Sequence, residues 1–158
     1  MHRSLWSYSV IAVLLLGVVV LPAGAASLTG DDSKFLTDLR NEGLPLLYEI
    51  PAAMKAGIFH GDDSAISSIG QEQTAALDAF LTKINGYTLS DEVKKVRDLY
   101  LVSAGVYKKD LTEYSTLISS CGSCITKMNE MYPRLTDEAK KTTTQVIQFY
   151  QTSLAPVS

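Results

Sequence analysis

A seven-residue period constrains this chain more than any other feature it carries. Between Ser90 and Tyr132, one line holds Val93, Tyr100, Tyr107, Tyr114, Cys121 and Met128. The line three residues on holds Val96, Ser103, Asp110, Leu117, Cys124 and Met131. Side chains three and four residues apart return to one face of an α-helix, so both lines share a side. Leu99, Val106, Leu111, Ile118 and Ile125 broaden that side into the apolar face of a core-facing helix. The period runs in phase through Cys121 to Met128, which favours one continuous helix as far as Tyr132. Such a helix would reach about 60 Å, well past its neighbours. Ser119, Ser120, Gly122 and Ser123 are poor interior helix residues and mark the place where it would break.

Acidic pairs punctuate the rest of the chain. Asp31-Asp32, Asp62-Asp63, Asp91-Glu92 and Asp137-Glu138 each open an apolar-periodic segment. Acids there accept unpaired N–H groups and oppose the positive end of the helix dipole. Ser90 and Thr136 are natural N-caps, and Pro133 is expected to close the third helix before the fourth starts at Thr136. In the first segment Leu36, Leu39, Leu46, Leu47, Ile50 and Met54 share a side. Pro45 predicts a kink or break near Gly43, and Pro51 disturbs the same helix again. The second segment runs from Asp63 to Asn85, with Asn85-Gly86 as its stop. The fourth continues to about Leu154, with Val146, Ile147, Phe149 and Tyr150 turned inward. No alternating apolar run lies between hairpin turns, so no sheet is expected. The expected fold is all-α: an up-down antiparallel four-helix bundle with a kinked first helix and a long third helix.

The first 25 residues read differently. Met1 to Ser9 carries Arg3 and no acid, Val10 to Leu21 is aliphatic, and Pro22-Ala23-Gly24-Ala25-Ala26 follows. This is the pattern of a secretory signal peptide with cleavage after Ala25. It leaves residues 26–158 as one helical domain outside the cytoplasm. The alternative is an uncleaved anchor over residues 10–26, at the lower length limit for a spanning helix. Membrane contact is expected only in that case. Loss of Arg3 takes the formal charge from −3 to −4, and the lysines are interleaved with acids. Neither property suits nucleic acid.

The chain's two cysteines form Cys121-Gly122-Ser123-Cys124. Two thiols three apart are the arrangement of dithiol oxidoreductases, in which a helix N-terminus lowers the pKa of the first thiol. That use needs a chain break before Cys121. A local disulfide or two buried thiols is the structural alternative. Cβ atoms three apart in a regular helix are about 5–6 Å apart, too far for an undistorted disulfide. A third reading joins Cys121 and Cys124 to Met128 and Met131 on one face, a soft set suited to Cu(I). Tyr100, Tyr107 and Tyr114, with Ser103 and Asp110 on the adjacent line, form a candidate ligand-binding ladder. With one histidine past the signal segment, His60, there is no Ser/His/Asp set, and no phosphate loop or dinucleotide motif occurs. No cofactor is implied. The reading is therefore an exported, non-catalytic helical binding module for an unknown protein or small-molecule ligand. Dithiol redox or Cu(I) handling stands as the alternative.

Overall fold

Thr29 starts the first helix two residues ahead of the acids. In the computed structural model, which describes residues 28–60, 63–117 and 124–154, it caps helix α1 (Gly30–Asp38). The Thr29 hydroxyl accepts the Asp32 N–H at 3.1 Å, and the Asp32 carboxylate accepts the Thr29 N–H at 2.9 Å. The chain then passes through a π-helical turn, Leu39–Gly43, into α2 (Leu44–His60), forming one rod. That turn is the disturbance expected near Gly43. Pro45 cannot donate back to residue 41, and its ring would press on that carbonyl in a regular helix. The wider turn relieves the clash, and the Leu44 N–H reaches five residues back to Leu39.

Helix α3 (Asp63–Asn85) ends at the predicted stop, where Gly86 N–H bonds the Lys83 carbonyl at 3.1 Å. Helix α4 (Asp91–Thr116) follows, with Ser90 at its N-cap position. Helix α5 (Cys124–Phe149) completes the set and passes into a second π-helical turn, Tyr150–Leu154. The described residues form an all-α bundle of four rods, the first being α1 and α2 together. No helix among them is long and apolar enough to cross a membrane. The N-terminal segment 1–25, Asp62, Ile118 and Cys121 lie outside the described residues.

Two expectations about the second half need correction. The third helix does not run on to Tyr132; it ends by Leu117, and a separate helix begins at Cys124. Glu113 pairs with Lys127 at 2.9 Å, Asp110 with Arg134 at 2.6 Å, and Ser103 with Glu138 at 2.8 Å. These pairs lie farther apart in sequence the farther they lie from residue 121, which defines an antiparallel hairpin. Nor does Pro133 close a helix or Thr136 open one, since both sit inside α5. Pro133 deprives the Asn129 carbonyl of its donor, but both residues face solvent, where water can replace it. The Thr136 hydroxyl bonds the Tyr132 carbonyl at 2.7 Å, a mid-helix arrangement rather than a cap. Asp137 pairs with Lys140 one turn on at 3.2 Å.

The bundle is up-down-up-down. The first rod runs against α3 through Lys83 with Glu42, and α3 runs against α4 through Asp78 with Lys108 at 2.5 Å. Helix α5 returns beside the first rod, with Tyr150 bonding the Leu36 carbonyl and Lys55 over the Tyr132 ring at 4.4 Å. Asp32, fully buried, also fastens the start of α4 by accepting the Ser90 N–H at 2.9 Å. Neighbouring Asp31 accepts the Thr88 N–H at 3.0 Å. One acidic pair thus caps its own helix and holds the loop leading into another.

Candidate functional site

Both lines of the seven-residue period that belong to α4 are buried throughout, from Val93 and Val96 to Tyr114 and Leu117. The three tyrosines form a spine across the bundle. Tyr100 donates to the Gly43 carbonyl at 3.0 Å, Tyr107 to that of Leu47 at 2.6 Å, and Tyr114 to that of Met54 at 3.1 Å. Acceptors climb the first rod as donors climb α4, so these two rods are parallel and diagonal. The Tyr107 hydroxyl also lies 2.7 Å from the Leu135 carbonyl of α5, so it sits between three rods. Burial disfavours the charged phenolate and raises all three pKa values, that of Tyr114 to about 12. These hydroxyls remain neutral donors at any ordinary pH.

Ser103 and Asp110 do not serve as the tyrosines' partners. Ser103 bonds Glu138 and makes a short hydrogen bond with Thr142. Asp110 takes two bonds from Arg134, at 3.1 and 2.6 Å. Both residues tie α4 to α5. Asp110 is 2% exposed while the Arg134 side chain is half exposed, so the charge pair spans the boundary between core and solvent.

The sulfur-bearing residues within the described set also share one buried face. Cys124, Met128 and Met131 are each nearly inaccessible, and the Cys124 thiol lies 3.3 Å from the Leu117 carbonyl across the hairpin. No cluster of three or more His, Cys, Asp or Glu residues suited to a metal occurs among the described residues. Cys121, needed for either the redox pair or the soft-metal set, lies outside them.

A feature the sequence reading did not single out is an open groove of about 410 Å³ between the first rod and α3. Asn41, Glu42, Pro45, Leu46 and Glu49 form one wall; Ala76, Ala79, Phe80 and Lys83 form the other. It lies alongside the π-helical turn, and Leu46, just past that turn, is half-buried, packed against the core on one side and facing the groove on the other. Gly43 allows the Phe80 ring in close, because a Cβ there would lie 2.5 Å from it. Phe80 packs edge-on against Tyr100 at 5.2 Å between centroids, so the groove is backed by the tyrosine spine. At one end, Lys83 bridges Glu42 at 2.8 Å and Asp38 at 3.0 Å, and Asp38 accepts a short bond from Tyr87. Burial raises the Asp38 pKa, but the Tyr87 and Lys83 hydrogen bonds outweigh it and the net shift is downward. That end of the groove is held by the network of Asp38, Glu42, Lys83 and Tyr87.

Comparison with protein-family models, with curated proteins and with solved structures returns no match.

Proposed function

We propose that the protein is an exported, non-catalytic binding module whose working site is the groove beside the π-helical turn. The observation behind this reading is the groove itself. It is concave, of small-ligand size, lined by aliphatic and aromatic carbon, and edged by a few convergent polar groups. π-helical turns recur at functional sites in helices, and this one shapes a groove wall. The tyrosine spine then has a mechanical role. With its hydroxyls engaged by backbone carbonyls, it holds the first rod at fixed height and supports the Phe80 wall. Export rests on residues 1–26, whose basic start, aliphatic run and Ala-Gly-Ala site match a signal peptide.

The test is chemical-shift mapping of the isotopically labelled protein against a library of small fragments. Hits are expected to move amide signals of residues 41–49 and 76–83 together. A library that yields hits only elsewhere, or none, would overturn the groove as the working site. N-terminal sequencing of the exported protein is expected to begin at Ala26.

A further inference from the structure

The first rod meets α3 in a regular antiparallel register. Glu42 pairs with Lys83, and one heptad further along the first rod Glu49 lines the same groove as Ala76, which lies one heptad back along α3. At the first of these levels the carboxylate has its ammonium partner, with Lys83 Nζ 2.8 and 3.0 Å from the two Glu42 oxygens. At the second, α3 carries the methyl group of Ala76 and no cation. Glu49 makes no ion pair or hydrogen bond among the described residues. The space left by Ala76 and Ala79 is part of the groove, and its apolar walls are Leu46, Pro45 and Phe80. Carboxylates on the rim outnumber cations, since Lys83 is already shared between Glu42 and Asp38.

We infer that the groove takes a small organic cation with an apolar body. Its ammonium group sits against Glu49, where a lysine at position 76 would otherwise reach. Its hydrocarbon part lies along Leu46, Ala79 and the Phe80 ring. The charge complementarity favours this occupant over a carboxylate of the same shape, which would face Glu42 and Glu49 together. This inference rests on the groove being the binding site and adds the class of ligand it selects.

The experiment is an NMR titration of the protein at low ionic strength with three probes of one chain length: hexylammonium, hexanol and hexanoate. All shifts are read at residues 41–49 and 76–83. Hexylammonium is expected to bind about fivefold tighter than hexanol, the upper range for a partly exposed ion pair, and hexanoate to bind weakest. Glu49→Gln is expected to reduce hexylammonium to the affinity of hexanol. Ala76→Lys, which supplies the missing cation from the chain itself, is expected to do the same and to narrow the groove. Equal binding of hexylammonium and hexanol overturns the cation assignment while leaving the groove as a binding site, and so does an ammonium preference that survives Glu49→Gln. Failure of all three probes to move the groove signals overturns both.

Discussion

Replacing Tyr107 by Phe removes one hydroxyl from the centre of the bundle, and its cost is set by a proline 56 positions away in sequence. Pro51 lies inside α2 and has no N–H, so the Leu47 carbonyl one turn earlier has lost its helical donor. Leu47 is fully buried, and the Tyr107 hydroxyl at 2.6 Å takes the place of that donor. Tyr100 and Tyr114 bond the carbonyls of Gly43 and Met54, which keep backbone N–H groups one turn on, at Leu47 and Ile58. The three Phe variants therefore differ. Tyr100→Phe and Tyr114→Phe lose an added bond worth about 0.5–1.5 kcal/mol, whereas Tyr107→Phe orphans a buried acceptor at about 1–3 kcal/mol. With a urea slope of about 2 kcal/mol per molar, a 2 kcal/mol loss lowers the unfolding midpoint by about 1 M. Urea titration followed by helical circular dichroism measures all three. A double-mutant cycle with Pro51→Ala sharpens the test, because alanine restores the missing N–H. The cost of Tyr107→Phe is then expected to fall by about 1 kcal/mol. If Tyr107→Phe costs no more than its two neighbours, or costs the same in the Pro51→Ala background, the orphaned-carbonyl account is wrong.

Gly57→Ala places a Cβ 2.5 Å from the Tyr114 hydroxyl and 2.9 Å from Ile69, so it should destabilise by about 1–3 kcal/mol through overpacking, read as a fall in melting temperature. Arg134→Ala leaves the buried Asp110 carboxylate without its two donors. A loss of about 2 kcal/mol is expected, and Arg134→Ala with Asp110→Asn should recover part of it in the same urea assay. Asp32 contributes to acid stability: burial raises its pKa, but bonds from the Ser90 and Thr29 N–H groups outweigh this and leave it lowered. A depressed folded-state pKa means that its contribution is complete above about pH 4 and is lost as pH falls through the folded value. Asp32→Asn should therefore flatten the stability–pH curve below about pH 4 while lowering stability at neutral pH. With Cys121 replaced by Ser, Cys124 should react with a thiol reagent only at the rate of unfolding, since it is 3% exposed. Fast labelling of the native protein would return the redox reading to the front.

How far the fold is legible depends on what periodicity can and cannot report. It reports burial well on the two central lines, since Val93, Val96, Tyr100, Ser103, Tyr107, Asp110, Tyr114 and Leu117 are all buried, but not at the edge of that face, where Ile125, expected inward, is 58% exposed. It does not report connectivity. From Leu117, the buried residue that caps α4, to Cys124, the first of α5, the step is one heptad. A reversal of that length leaves the apolar lines in register, so Cys124, Met128 and Met131 continue the pattern although they belong to the returning helix. Ser119, Ser120, Gly122 and Ser123 carry the contrary signal, and composition outweighs phase. The reverse error arises at Pro133. A proline reads as a stop only where the freed carbonyl has no substitute donor. Asn129 has solvent and Leu47 has Tyr107, so the chain stays helical at Pro133 and at Pro51 alike.

The groove is harder to see because it is made by residues that do nothing unusual alone. Pro45 signals a disturbance, but the sequence does not say whether the helix will kink, break or widen by one residue. Beside the widened turn Leu46 is only half-buried where Leu47 and Ile50 are fully buried, so a residue expected in the core packs at its edge and also forms a groove wall. Ala76 and Ala79 are good helix formers on an exposed face, and nothing marks them as gaps until a partner rod stands opposite. Glu49 is one acid among many until its level is matched with that of Glu42, which already holds Lys83. A register between two rods is a pairing property, invisible to a single helix's period, and it is the property from which the missing cation follows. The same dependence makes the site easy to erase: one lysine at position 76 would give Glu49 a cation from the chain itself and occupy the space in which a ligand would sit.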